Sequence, residues 1–383
     1  MNDMTDIFGG GSNRGRRICV VGGGIGGLTA ALAFAASGAS VELHEQADAL
    51  TEVGAGLQIT PNGARVLQAL GLGEALASIG IAAQAVEPMD AVSGRAVTRF
   101  DLTGLTGPAY RFVHRADLIG ILAEACRAAG VVFHLGSRVA TTDVTADLVI
   151  GAEGIHSETR AVLNGASEPF FTGQVAWRAL IDAPGVAPVA QIWMAPNRHV
   201  VTYPVSGGRM NIVAVQARQQ WAPEGWAHRD DAGNLRHAFR NMSGRLTGIL
   251  AKVDDVHLWG LFRHPVAEHW FKDNVAILGD AAHPTLPFLA QGANLAIEDA
   301  FVLARCCAGG AEIASGLRRY ESVRKPRASR AIAAANANAR KYHLSGFARS
   351  VAHIGLKTLG KVSPNAFMGR MSWLYDHDVT KDV

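Results

Sequence analysis

The residues best suited to chemistry fall in three glycine-rich stretches and one strand-like run. The first stretch is Gly22-Gly23-Gly24-Ile25-Gly26-Gly27, preceded by the apolar run from Ile18 to Val21 and followed by small-residue helical text from Leu28 to Ala36. Val41 to His44 reads as a second strand, and Glu45 closes it, 18 residues after Gly27. Strand, GxGxxG through Gly22, Gly24 and Gly27, helix and terminal acid make the βαβ unit that binds dinucleotides. Gly22 permits the tight turn, Gly24 lets a pyrophosphate reach backbone N–H groups at the helix start, and Gly27 lets helix and strand pack closely. Glu45 is placed to accept hydrogen bonds from an adenosine ribose, with Ile25, Gly26 and Gln46 as flanking contacts. The unit alone does not separate NAD from FAD.

A second constellation bears on that choice. Asn274 to Leu278 reads as a buried strand and runs into Gly279-Asp280-Ala281-Ala282-His283-Pro284. A glycine at the strand end lets Asp280 turn outward to hold a polyol chain. Gln291-Gly292-Ala293-Asn294 then puts backbone amides at a helix start, suited to an electron-rich ring edge. A flavin needs such a distant second half, and an NAD dehydrogenase does not. The third stretch, Ala146 to Arg160, reads as strand, glycine-rich turn and helix start, with Ser157 a candidate N-cap.

In this order and at these separations, the three stretches resemble the single-component FAD-dependent aromatic hydroxylases. That family includes para-hydroxybenzoate, salicylate, 3-hydroxybenzoate and 6-hydroxynicotinate hydroxylases, and the resemblance spans about Arg16 to Arg330. It implies FAD in an extended pose and hydride from NADH or NADPH without a separate domain for that reductant. It also implies O2 addition to a C4a-hydroperoxide that hydroxylates a small aromatic substrate, a phenol or heteroaromatic acid. Carried over residue by residue, Glu45 is the ribose acid and Asp280 the ribityl aspartate. Gly292, Ala293 and Asn294 meet the pyrimidine edge, Arg115 lies over the cofactor, and Val139 gives a backbone contact near adenine. Gln58 reaches the flavin edge or else serves its loop. Glu153 departs from the family, which usually has Asp before the glycine at 154.

The run His199-Val200-Val201-Thr202-Tyr203-Pro204 resembles the HxxxYP strand of the 6-hydroxynicotinate and related hydroxylases, where these two side chains contact substrate. The chemistry fits, because removing or sharing a phenolic proton supplies the ring density that hydroxylation requires. Strand alternation places His199 and Tyr203 on one face, ~13 Å apart along the strand, so they cannot serve the same atom. His283 is expected to brace the Gly-Asp loop.

The elements that position these residues are expected to form an α/β fold. Residues 16–75, 110–165 and 265–335 would make a Rossmann-type FAD-binding domain. Residues 76–109 and 166–264, which hold most of the seven tryptophans, would make an inserted mixed or antiparallel β-sheet domain for substrate, with Arg178 supporting the sheet. Residues 336–383 would form a helical segment, in which Phe347, Val351 and Ile354 predict a short packing face; a membrane-surface or dimer helix is the alternative. No arginine or lysine stands out as a clamp for a substrate carboxylate.

Composition narrows the classes further. Of 383 residues, 49% are hydrophobic and 18% charged, which excludes a disordered chain. The charge sum, 36 basic against 33 acidic, is only +3, and no long basic run is present. That argues against a nucleic-acid partner. Cys19, Cys126, Cys306 and Cys307 show neither CxxC nor zinc spacing and read as buried thiols, with no metal expected. Without a signal peptide or a run of about 18 apolar residues, the expectation is a cytoplasmic monomer or homodimer. Two rivals remain at this stage: a ubiquinone-type or natural-product hydroxylase with a long apolar tunnel, and a non-catalytic FAD-binding protein that recognises a partner.

Overall fold

The computed structural model describes residues 6–8, 12–50, 55–218, 228–309, 312–362 and 366–381. Trp221 and Trp226 lie outside them. The chain runs β1 (Arg17–Val21), α1 (Ile25–Ala36), β2 (Ser40–His44), β3 (Gly56–Ile59), α2 (Pro61–Ala69), α3 (Gly73–Ile79), β4 (Ile81–Ala82), β5 (Ala85–Asp90), β6 (Phe100–Asp101), β7 (Arg111–His114), α4 (Arg115–Ala128), β8 (Val132–His134), β9 (Leu148–Gly151) and α5 (Glu158–Asn164). There follow β10 (Phe170–Asp182), β11 (Val189–Ala195), β12 (Arg198–Val205), β13 (Arg209–Ala217), β14 (Arg229–Asp230), α6 (Ala232–Ala238), α7 (Gly244–Leu250), β15 (Val256–Arg263), β16 (Phe271–Lys272) and β17 (Val275–Ile277). The last elements are helical: α8 (Gly292–Cys307), α9 (Ile313–Tyr342), α10 (Gly346–Val362) and α11 (Ala366–Tyr375). The architecture is α/β.

One sheet has the order β16-β17-β9-β1-β2-β8, parallel except for the short edge strand β16. Its central strand β1 is buried from Ile18 to Val21, as an apolar run flanked by helices must be. From β1 the chain goes to β2 on one side and returns to β9 on the other. That reversal opens a crevice at the carboxyl ends of the strands, where ligands of open α/β sheets bind. Register then does the rest. Val21 pairs with Gly151, and Gly151 with Ile277, so the three glycine stretches, far apart in sequence, emerge side by side.

The second sheet has eight strands, β14-β15-β10-β13-β12-β11-β5-β6, antiparallel except for β11 beside β5. Segments 85–101 and 170–263 therefore meet in one layer. Alternation gives it two apolar faces. One packs Trp177, Trp193, Val200 and Ile212 on α6 and α7; the other turns Ala176, Tyr203, Val213 and Trp259 inward, towards Phe288 and Leu289. A small sheet, β3-β7-β4, lies between the layers.

The joint between α8 and α9 is ionic. Glu298 and Asp299, adjacent on α8, are fully buried, as is Arg324 of α9. Glu298 takes a bidentate pair of hydrogen bonds from Arg327, both at 2.7 Å, one ion pair from Arg324 at 2.7 Å, and an amide bond from Asn62 at 2.6 Å. Asp299 accepts from Arg324 Nε at 2.8 Å and from the Gly279 N–H at 3.1 Å, and meets His283 Nε2 at 2.5 Å. Helix α9 continues unbroken past residue 335, with Pro326 inside it, and Tyr320 donates to the Ile277 carbonyl at the end of β17.

The C-terminal helices differ from the expected apolar packing. On α10, Val351 and Ile354 are 50% and 65% exposed. The helix is tied down through its polar side instead: Arg349 pairs with Asp90, and His353 lies 3.6 Å from the same carboxylate. Among the described residues, no helix is long and apolar enough to cross a membrane. All four cysteines are free and buried.

The α8–α9 network makes acid stability testable. Burial opposes ionisation of both acids, but Arg324 and Arg327 hold Glu298 at about 2, and His283 and Arg324 hold Asp299 at about 2. A depressed folded value means stability that is present above the ordinary range near 4 and lost as pH falls towards 2. Glu298→Gln should cost about 3–5 kcal/mol at neutral pH, because it strands buried arginine charge. Its denaturant-unfolding free energy should also change less than the parent's between pH 5 and pH 3, a window on the order of these values.

Candidate active site

The first glycine stretch forms the turn that its spacing predicts. Gly22 has φ of +107°, and a Cβ there would lie 2.4 Å from the Ala152 carbonyl oxygen. A Cβ on Gly27 would lie 1.9 Å from the Gly22 carbonyl oxygen, so helix and strand meet through hydrogen atoms alone. Gly24 caps the start of α1, and a Cβ there would meet nothing within 4 Å. That open space in front of a helix N-terminus is where an anion fits. Glu45 accepts from the Gly23 N–H at 2.6 Å and the Ala47 N–H at 2.9 Å, so it also stiffens the turn. Ile25 is buried, Gly26 packs under Leu278 and Ala296, Gln46 is exposed, and Val139 packs beside Cys19 and Val21.

The second stretch faces the first across the crevice. Asp280 is open to the crevice yet ringed by protein. Burial raises its carboxyl, while His283 and Arg115 pull it back down. Arg115, at the start of α4, is thus the cation that faces Asp280. His283 braces the loop as expected, held by Asp299 and tilted against the Trp270 ring at 5.1 Å. Gly292 and Ala293 begin α8. The Asn294 carboxamide is used within the protein: it accepts from the Thr60 N–H at 3.0 Å and donates to the Gln58 and Ala290 carbonyls at 3.0 and 2.6 Å. Its side chain therefore joins α8 to β3, leaving the backbone of this segment for a ligand.

The third stretch supports the other two. Ser157 caps α5, accepting from the Arg160 N–H at 3.0 Å. Glu153 receives the Ser157 hydroxyl at 2.6 Å and the Thr159 hydroxyl at 2.5 Å. In this chain the longer acid is a helix-start brace. Arg160, buried, donates to the Ala281 and Ala282 carbonyls and so holds the Gly-Asp loop.

Across the crevice, β12 places both expected substrate residues on the inner face, in different surroundings. Tyr203 stacks on Phe112 at 5.1 Å and touches β3 at Gly56, whose Cβ would lie 2.7 Å from its ring. Gln58 bridges two phenols: its carbonyl oxygen accepts from Tyr110, and its amide bonds the Tyr203 hydroxyl. Burial raises Tyr203 well above the ordinary phenol range, against the pull of Arg178 and Gln58. Its proton therefore stays on at neutral pH, available for donation. His199 is buried against Phe288 and Tyr342, each at 5.4 Å, with Nδ1 2.8 Å from His343 Nε2. Burial, then His343, pushes it well below the ordinary imidazole range, so it remains neutral.

Sequence reasoning overlooked Arg178 as more than a sheet support. It sits on the inner face over the Trp259 ring at 4.4 Å, in the electrostatic field of Tyr203 and Arg115. Burial pulls its guanidinium down to about 9, still a cation at neutral pH. An arginine in the alternating text Val175 to Ala179, at an inward position, was the available signal. A groove of about 710 Å³ lined by Glu87, Gln191, Thr202, Arg245 and Lys252 opens on this sheet and reaches Tyr203, and no residue of the glycine stretches borders it.

A dinucleotide turn, an aspartate on the second glycine stretch and aromatic side chains on the inner sheet face are the parts of a flavoprotein. The residues fit FAD: the open space at Gly24 would admit a phosphate, Glu45 would stand at the ribose end, and Asp280 opens on the crevice. The family described as FAD binding domain matches residues 135–335. Over 367 residues the chain is 35% identical to a 3-amino-4-hydroxybenzoate 2-monooxygenase of Streptomyces platensis, covering 89% of this chain and 91% of that one. It is 34% identical over 393 residues to a 3-hydroxybenzoate 6-hydroxylase of Klebsiella oxytoca, with coverages of 94% and 96%. The fold superposes on HpxO of Klebsiella pneumoniae complexed with FAD and uric acid at a TM-score of 0.79 and 26% identity, covering 92% and 96% of the two chains. The chain belongs to this FAD-binding family and is an FAD-dependent aromatic-ring monooxygenase.

Two glycine variants separate fold from cofactor. Gly24→Ala should unfold like the parent but purify with much less flavin, read as the 450 to 280 nm absorbance ratio. Gly27→Ala should lose flavin and also about 1–3 kcal/mol of stability through overpacking. Equal stability losses in both would contradict the geometry of this turn.

Proposed function

We propose that the chain hydroxylates a small aromatic acid carrying a ring hydroxyl, of the hydroxybenzoate or hydroxypyridine-carboxylate class, using O2 and NADH or NADPH. The observation that carries the substrate class is the half-buried Arg178, electrostatically coupled to Tyr203 on the inner sheet face. A cation and a phenol, walled by Phe112 and Trp259, match a flat ring that presents one carboxylate and one hydroxyl. A carboxylate beside Arg178 offsets the cost of burying its charge.

FAD, when bound, supplies the acceptor for nicotinamide hydride and the activation of oxygen. The protein's own groups do the rest. Gly22, Gly24 and Gly27 admit the pyrophosphate, Glu45 holds the ribose, and Asp280 with Arg115 meets the polyol and ring. Because the Gln58 amide occupies a lone pair of the Tyr203 oxygen, the Tyr203 proton points to the substrate oxygen and orients it. His199, kept neutral, is a base at the far end of the same strand face, and His343 fixes its ring. The apolar walls keep water from the reacting ring. Four buried free thiols suit a reducing compartment, which supports a cytoplasmic enzyme.

Anaerobic stopped-flow bleaching of the flavin by NADH and NADPH, with a panel of hydroxybenzoates and hydroxypyridine carboxylates, tests the reading. One acid should accelerate reduction many-fold. If none does while reduction itself proceeds, the substrate lies outside this class. Arg178→Met should raise KM for the acid by roughly 10- to 100-fold, the worth of a hydrogen bond to a charged group, while leaving the decarboxylated phenol unaffected. Tyr203→Phe should keep flavin but divert NAD(P)H oxidation from hydroxylation to peroxide. Full coupling in that variant would remove Tyr203 from the reaction.

A further inference from the structure

A cluster that the flavin chemistry leaves unused sits at the ribose end of the parallel sheet. His44 and His134 are direct register partners on β2 and β8. Their rings lie parallel, with centroids 4.4 Å apart and planes at 14°. Glu42 shares the strand face of His44, and its Oε2 lies 3.3 Å from His134 Nε2. Ligand atoms of all three side chains fall within 4.8 Å of one another. The site lies at the sheet edge, because β8 is the outermost strand; the Glu42 and His134 side chains are 58% and 40% exposed, with His134 Nε2 itself covered.

An outer contact already orients one ligand. Ser137 Oγ lies 3.0 Å from His44 Nδ1. An Nδ1–H donated to that hydroxyl leaves Nε2 with its lone pair outward, the arrangement that metal-bound histidines adopt. Two imidazole nitrogens and one carboxylate oxygen suit Zn2+ and its borderline neighbours rather than Mg2+. The same two residues support the cofactor turn through their backbones. The His44 carbonyl accepts from the Gly22 N–H at 2.8 Å, and the His134 carbonyl accepts from the Glu45 N–H at 3.0 Å.

We propose that Glu42, His44 and His134 form a Zn2+-class binding site, and that its occupancy tightens FAD binding by clamping β2 to β8 beneath Gly22 and Glu45. One imidazole turns out of the stack so that both lone pairs meet the ion, and water completes the coordination. Because coupling between two sites is reciprocal, bound FAD also strengthens the hold on the metal.

The test is calorimetric titration of untagged holoenzyme with Zn2+, with Mg2+ as control, followed by the rate of FAD release with and without Zn2+. One Zn2+ per chain should bind, Mg2+ should not, and FAD release should slow. Glu42→Gln and His134→Ala should weaken Zn2+ by roughly tenfold or more, and Ser137→Ala by roughly tenfold, with the flavin spectrum unchanged before metal is added. Absence of saturable binding, or equal binding in the Glu42 and His134 variants, overturns the site. Binding that leaves FAD release unchanged overturns the coupling. Glu42→Gln keeps the test decisive if the His134 variant folds poorly, since Glu42 is an exposed side chain replaced by its near isostere.

Discussion

Everything that positions the chemistry leans on a pair of adjacent acids shut away from water. Glu298 and Asp299 are opposed by Arg324 and Arg327, and each acid also reaches a different part of the site. Through Asn62, Glu298 holds the α2 corner that follows β3. Through Gly279 and His283, Asp299 holds the loop that presents Asp280. Taking four charges out of water costs more than an apolar joint of the same shape would. What the network adds is a specific arrangement: Arg324 spans both acids while Asn62 and Gly279 tie them to α2 and the Gly-Asp loop, which joins α8, α9, α2 and that loop.

Parallel pairing performs the second assembly. Three motifs separated by more than a hundred residues become neighbours because β1, β9 and β17 lie side by side with their ends in register. None of the motifs is complete alone. The first supplies the turn, the third supplies Arg160 to hold the second, and the second supplies the aspartate. The groups proposed above to meet the substrate come from a different layer, the inner face of the antiparallel sheet, and Gln58 of β3 joins that face through Tyr110 and Tyr203.

Much of this was legible in the sequence, for physical reasons. A glycine that must admit a carbonyl at 1.9 Å from where a Cβ would sit tolerates no other residue, so steric demand writes itself into the text at Gly22 and Gly27. The alternation of β12 likewise placed His199 and Tyr203 on one face. What the text did not disclose was partnership. Glu298 and Asp299 stood as two acids in a largely apolar helix, with Arg324 and Arg327 25 to 29 residues on, and nothing local says that they meet. Asn294, expected at the flavin edge, spends its carboxamide on Thr60, Gln58 and Ala290, which only the folded chain reveals. Arg178 was visible as an inward position, but its electrostatic coupling to Tyr203 depends on strands 25 residues apart in sequence. On α10 the apolar spacing was real, yet its Val351 and Ile354 face outward, because ion pairs to Asp90 decide how the helix lies.

Gly56 sets a limit on how this enzyme can be remade. Its backbone donates to Asn211 at 2.8 Å, and it leaves no room for a Cβ against Asn211 or Tyr203, so the cofactor layer and the substrate sheet touch backbone to side chain. The chamber cannot be enlarged by letting the layers drift apart without breaking that seam. For the reaction proposed above, room for a bulkier ring would have to come from shortening inward side chains on the sheet, which makes the repertoire of this scaffold a matter of which residues line one face rather than of how wide the gap is.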